Sequence, residues 1–371
     1  KFLDLESRMG KAPGGYNYPL AKTNMPFIFM NATGNMRDLE TMVHEGGHAI
    51  HSFLMAPLKL NAYKDTPSEV AELASMSMEL LSMDGWKYFF TDAEELKEKL
   101  EAWKYTSLNA ILKNDFSVFP KKENAIEFAE VKKYFLHDVD TYKVVFVDGL
   151  FSSLLSSTTH DGLDVCLMSS ALNKPKYKMV IDEYFNNIAS KDESLTTLNT
   201  AFAKEGAYIN VPKSKVVDKP IEIIYFSTGN EAALMVQPRN LVIVGENAHV
   251  QIIERHQSLN SNPVLTNSVT EIFAQKRAIV DYYKIQNDVQ TANLIDNTYI
   301  AQKQESRVAV HTFSFGGNIT RNNLNFYQRV EHINSILKGI TIIEEKQHVD
   351  HHTLVHHIEP NCESHQDYKG I

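Results

Sequence analysis

Two histidines four residues apart flank a glutamate in His44-Glu45-Gly46-Gly47-His48. Side chains at i and i+4 of a helix share one face, so both imidazoles can reach one ion while Glu45 stands beside the open coordination position. There Glu45 has the place of a general base toward a water held by that ion, the chemistry of metal-assisted hydrolysis. A five-residue pattern of this kind recurs by chance, so its setting has to decide between a metal centre and a surface helix with incidental histidines. The two glycines inside the motif cost helix stability, and a merely structural helix rarely holds them there.

The setting consists of a strand and two helices. Pro26–Ala32 (PFIFMNA) is a short apolar run that reads as a strand. Asn35 can cap a helix running to about Leu54, with apolar positions Leu39, Val43, Ile50 and Leu54 at helical spacings. Thr66-Pro67-Ser68-Glu69 starts a second helix that continues through Leu80. Glu72 and Glu79 are seven apart and share a face of that helix, with Glu72 well placed as third ligand. Residues 1–25 read as loops, and Asp92–Leu100 as one more amphipathic helix.

From about Glu101 the character of the chain changes. Helical patterns (Ala125–Phe135, Met179–Ile188, Leu195–Ala203) alternate with a strand-like run at 142–149. From Gly206 onward β-branched, period-two runs dominate, at 221–227, 240–246, 249–256, 277–285 and 307–315, many of them divided by turn signals. Short strands at near-regular intervals favour a stacked β architecture, a solenoid ahead of a sandwich or barrel. Six of the fifteen histidines fall between His348 and His365. Imidazoles suit iron, zinc and copper, which is one reading. On a strand, however, His351, Thr353 and Val355 point one way and His352, Leu354 and His356 the other, so polar ladders explain the histidines equally well.

Bulk composition bounds the function. A length of 371 residues implies two or three domains, and 43% hydrophobic with 22% charged residues is ordinary for a core-forming chain. A net charge of -9 argues against a nonspecific nucleic-acid binder. Cys166 and Cys362, the two cysteines, cannot supply the four thiolates of an all-cysteine cluster, so no Fe–S cluster is expected on this chain alone. Few cysteines, no apolar run of about 18 residues and no signal-peptide pattern at the start lead to the expectation of a cytoplasmic protein without a membrane partner.

Two resemblances sharpen these readings. Residues of about 8–90 resemble the oligoendopeptidase F branch of the M3 metallopeptidases, through Gly14-Gly15-Tyr16, PFIFMNA, HEGGHAIHSF at 44–53 and SEVAELASMSMELL at 68–81. The resemblance implies one zinc ion on His44, His48 and Glu72, Glu45 as catalytic base, Glu79 behind a ligand imidazole, and short peptides as substrates. The family's C-terminal part, which carries the tyrosine and histidine side of the active site, has no counterpart, so weak catalysis is expected. Residues of about 101–371 resemble SufD of the SUF iron–sulfur assembly system, through Glu101-Ala102-Trp103-Lys104-Tyr105-Thr106, the strands from Gly206, and KQHVDHHTLVHH with CESHQDYKGI. This implies a non-catalytic scaffold with a helical N-terminal region, a right-handed parallel β-helix, and SufB-like and SufC-like partner subunits.

The resulting expectation is a mixed chain: a short all-α zincin-like fragment at 1–97, an α/β region at 98–205, and a SufBD-like β-helix at 206–371. The join near residues 91–102 reads as two partial folds placed end to end. The alternative function is a zinc-dependent oligoendopeptidase.

Overall fold

The computed structural model describes residues 2–8, 10–12, 14–20, 25–33, 36–58, 68–82, 106, 108, 111, 113–114, 116–118, 126–157, 162–189, 193–228 and 233–371. The chain divides into two compact units, 1–109 with 191–201, and 110–190 with 202–371.

In the smaller unit β1 (Leu3–Glu6), β2 (Tyr16–Leu20) and β3 (Met25–Ala32) form a sheet of order β1-β3-β2. α1 (Met36–Met55) and α2 (Ser68–Ser82) follow. The two helices and the strand before them stand where periodicity puts them. The loop reading of residues 1–25 is corrected, and with it the all-α fragment: β1 runs parallel and β2 antiparallel to β3. Tertiary pairing outweighs local propensity here. Pro19 would break a central strand, but β2 is an edge, where a missing N–H is tolerated. Tyr16 stacks on Phe29 of β3 with ring centroids 4.7 Å apart. Lys11 Nζ donates to the carbonyl oxygens of Asp4, Glu6 and Met30, tying β1 to β3. Ile50 and Leu54, read as part of the apolar stripe, are exposed. Asn35, Thr66, Pro67 and the expected helix Asp92–Leu100 lie outside the described residues.

The larger unit contains β4 (Tyr142–Val147), β5 (Leu150–Phe151), β6 (Asp164–Leu167), β7 (Ala207–Val211), β8 (Ile221–Ser227) and β9 (Leu234–Val236). There follow β10 (Arg239–Val244), β11 (His249–Ser258), β12 (Val264–Ala274), β13 (Ile279–Gln286) and β14 (Ala292–Gln302). β15 (Arg307–Ser314), β16 (Ile319–Gln328), β17 (Asn334–Thr341), β18 (His348–His357) and β19 (Glu363–Gly370) complete it. From β10 onward successive strands alternate between two sheets, one ordered β18-β16-β14-β12-β10-β7-β6, the other β19-β17-β15-β13-β11-β8-β4-β5. The ladders from β8 to β19 are parallel: His249 faces Ile279, Ile279 faces Arg307, Arg307 faces Asn334, and Asn334 faces Glu363. Each coil therefore adds about 28 residues, within the range of stacked solenoid repeats. Ile209, Ile223, Val242, Ile252, Ile272, Val280, Ile300 and Val310 stack in one buried cluster.

Short helices α3 (Phe128–Val131), α4 (Met168–Asn173) and α5 (Lys178–Tyr184) precede the stack. The expected helix at 125–135 is a single turn followed by a 3-10 turn at Lys132–Tyr134. The one expected at 179–188 stops at Tyr184, because Asn186 adopts a left-handed backbone with φ of 58°. The Glu271 carboxylate then takes the N–H groups of Asn186, Ile188 and Ala189 and pairs with buried Arg239 at 2.6 Å.

β12, β14 and β16 were not among the strands expected, since many of their buried residues are polar, among them Asn267, Glu271, Asp296 and Asn322. Asn267 donates to Gln237, Asn323 to Asn297, and Asn322 to Gln286, so successive coils are joined by side-chain hydrogen bonds as well as by backbone. The histidine-rich segment continues this pattern. His351 accepts from Asn322 at Nδ1 and meets Thr341 Oγ1 at Nε2, 2.9 Å away, while His352 and His356 are exposed. The imidazoles divide between the two faces of β18. No helix among the described residues is long and apolar enough to cross a membrane.

Burial holds the pKa of His351 and of His311 below the ordinary imidazole value. Stability from a neutral buried histidine is complete above an unfolded pKa of about 6.5 and is lost as pH falls through the lower folded value. Hydrogen exchange of β18 and β19 amides is thus expected to be slower at pH 8 than at pH 5 after correction for intrinsic rates, and His351→Gln should shrink the difference.

Candidate functional site

α1 and α2 approach so closely at Gly47 that a Cβ there would stand 2.6 Å from the Ala74 carbonyl oxygen and 2.9 Å from the Ser75 nitrogen. Gly46 has open space at the same test. One glycine of the motif therefore answers to packing: it lets α2 lie against the face that carries His44 and His48. The helical spacing of α1 puts the two rings 4.9 Å apart, edge to face.

α2 supplies the acids. One donor atom from each of His44, His48 and Glu72 falls within 4.8 Å of the others. His44 Nε2 is 3.1 Å from Glu72 Oε2, and His48 Nε2 is 3.7 Å from Glu72 Oε1. One turn pair further on, Glu79 Oε1 stands 2.8 Å from His44 Nδ1. With the ring proton on Nδ1, donated to Glu79, the Nε2 lone pair of a neutral His44 faces the Glu72 carboxylate. Two acceptors at 3.1 Å repel unless positive charge lies between them, either a proton or a metal ion. The hydrogen bond to Glu79 raises the pKa of His44, opposed by burial, and the charge of Glu72 adds to the rise. Burial depresses the pKa of His48, which keeps its ring neutral and able to ligate.

Glu45 is buried, 6% exposed, and its Oε2 has no hydrogen-bond partner among the described residues. Burial raises its pKa, with His44 opposing, so its carboxylate holds a proton more firmly than an exposed one. Gly15 lies against it: a Cβ on Gly15 would come within 3.6 Å of Glu45 Oε1 and 2.7 Å of Thr41 Cγ2. Two imidazoles and one carboxylate are a donor set that fits zinc with a position left for a reactant, and an orphan carboxylate oxygen beside them fits a proton acceptor. All five residues singled out from the sequence, His44, Glu45, His48, Glu72 and Glu79, are thus brought together. Gly47 as the helix contact and Gly15 as the neighbour of Glu45 carried no separate signal. In the larger unit a further convergence of donors, Glu254, His256 and Asp296, was not legible, because the coil repeat and not local spacing assembles it.

Residues 1–131 match the family described as Peptidase family M3, and residues 225–371 match the SUF system FeS cluster assembly, SufBD core domain. An iron–sulfur cluster assembly SufBD family protein of Synechocystis is 26% identical over 73% of this chain and 61% of its own length. Oligoendopeptidase F of Lactococcus lactis is 27% identical over 42% of this chain and 23% of its own length. The iron–sulfur cluster assembly protein SufD of Bacillus subtilis is 23% identical over 40% of this chain and 35% of its own length. The chain thus spans only part of each of these relatives.

Gly47→Ala is expected to force α1 and α2 apart at an overpacking cost of about 1–3 kcal/mol. Urea unfolding of the smaller unit, followed by helix circular dichroism, should show the loss, while Gly46→Ala should be neutral or stabilising.

Proposed function

We propose, for a chain that contains an M3 peptidase-like N-terminal region and a SufD/SufBD-like C-terminal region, that the C-terminal region acts as a non-catalytic scaffold component of iron–sulfur cluster assembly. The observation that carries this reading is the in-register parallel stack from β8 to β19, which coincides with the SufBD core match at 225–371. In this reading the stack is a right-handed β-helix at 206–371, with 98–205 as its helical and mixed lead-in and 1–97 as the peptidase-like part. Its partners are a homologous SufB-like subunit and a SufC-like subunit in the cytoplasm. With two cysteines in the whole chain, the thiolates of a nascent cluster come from a partner. Co-expression of the full chain with a SufB-like subunit and capture of either one should recover both; recovery of the bait alone rejects the partner assignment.

A second reading rests on the His44–Glu72 approach. His44, His48 and Glu72 hold a zinc ion, and Glu79 orients His44 through Nδ1. When bound, the ion supplies Lewis-acid polarisation of a peptide carbonyl and of water. Glu45, its carboxylate already desolvated, accepts the proton of the attacking water at Oε2 and passes it to the leaving amine, so hydrolysis of short peptides balances without a covalent intermediate. Metal analysis of the full chain should find zinc that His48→Ala removes and that Glu79→Ala weakens by about 10- to 100-fold. Glu45→Gln should keep the zinc and abolish cleavage of a quenched short peptide. Zinc retained with cleavage unchanged by Glu45→Gln, or absent altogether, rejects the peptidase reading and leaves the ligand set standing.

A further inference from the structure

The interior of the larger unit gathers a second set of metal-ligating side chains. Glu254 and His256 leave β11 two residues apart, hence on one face, and Asp296 comes from β14 in the opposite sheet. One donor atom from each lies within 4.8 Å of the others. The three residues are 1%, 5% and 1% exposed, which removes bulk water as a partner. Lys284, the register neighbour of Glu254 on β13, is equally buried and donates to Asp296 Oδ2 at 2.5 Å and to Thr298 Oγ1 at 2.7 Å. The Tyr282 hydroxyl donates to Glu254 Oε2, and His256 Nε2 lies 2.7 Å from Glu254 Oε1.

Two features of this cluster call for a ligand. Two carboxylates share a single ammonium in an interior where uncompensated charge is costly. His256 Nδ1 has no hydrogen-bond partner among the described residues although the residue is almost fully buried, whereas its other nitrogen meets a carboxylate. With the ring proton on Nδ1, His256 Nε2 and Glu254 Oε1 are two acceptors 2.7 Å apart, which repel unless a proton or a metal ion lies between them. A cavity of about 10 Å³, which His256, Thr266, Gln286, Asp288 and Asn293 help to line, adjoins the cluster with room for one water.

We propose that Glu254, His256 and Asp296 form a binding site for one divalent first-row metal ion, with the Lys284 ammonium as the cation that the ion displaces from Asp296. One imidazole with two carboxylates is a mixed set that suits Mn²⁺ and Fe²⁺. On displacement Lys284 keeps Thr298 as acceptor and the Tyr282 ring, 5.6 Å from Nζ to centroid. The site depends on neither the scaffold nor the peptidase reading.

Mn²⁺ titration followed by electron paramagnetic resonance tests it, on the full chain carrying His44→Ala and His48→Ala so that the cluster in the smaller unit is silent. Saturable binding is expected, weakened at least tenfold by Asp296→Asn and by His256→Gln and tightened at least tenfold by Lys284→Met. Affinity that these substitutions shift less than twofold, or no saturable binding by the folded chain, overturns the proposal. Lys284→Met also decides the case in which Asp296→Asn or His256→Gln does not fold. It leaves two buried carboxylates without a counter-cation, so Mn²⁺ should raise its thermal midpoint or restore its folding. A Lys284→Met chain that Mn²⁺ neither stabilises nor refolds overturns the proposal as well.

Discussion

Register is the constraint on which the larger unit depends. In a parallel stack each strand satisfies its backbone only through the coils on either side, and a slip of one residue turns every inward side chain outward. Apolar packing alone does not choose between neighbouring registers of similar Ile and Val rows. The buried amide pairs do: Asn323 on Asn297, Asn267 on Gln237, and Gln328 on Ser335, which in turn bonds Gln302, each fit one register only. The Arg239–Glu271 pair does the same for the helical lead-in, since Glu271 also holds the loop after α5. Breaking such a buried pair by removing one partner costs about 3–5 kcal/mol.

The smaller unit meets a different demand, to bring two helices close enough for side chains of both to face one point. Gly47 allows that approach, and the 3.6-residue repeat then places His44 and His48 opposite Glu72 and Glu79. Glu45, the neighbour of His44 in sequence, is buried next to Gly15 and feels the charges of His44 and Glu72.

Legibility in the sequence followed the locality of the signal. His44, Glu45, His48, Glu72 and Glu79 could be read because helical spacing groups them within each of two helices and the M3 resemblance joins the two groups. β8, β10, β11, β13 and β15 could be read because their runs are apolar or alternate in polarity. β12, β14 and β16 could not: residues such as Asn267, Glu271, Asp296 and Asn322 look solvent-facing, and only the neighbouring coil makes them interior. β1 and β2 escaped for a related reason, since pairing with β3 and the Lys11 contacts outweigh a loop-like composition. Glu254, His256 and Asp296 lay beyond reach because their meeting needs the fold of two coils.

The central claim is that one polypeptide carries both a metal centre of the M3 type and a scaffold of the SufBD type. Native mass spectrometry of the full chain co-expressed with a SufB-like subunit measures both properties on the same particle. The account predicts a complex whose mass includes the intact chain, the partner and a zinc ion that is lost on His44→Ala. Intact chain found with neither zinc nor partner, or zinc and partner found only on separate fragments, contradicts it.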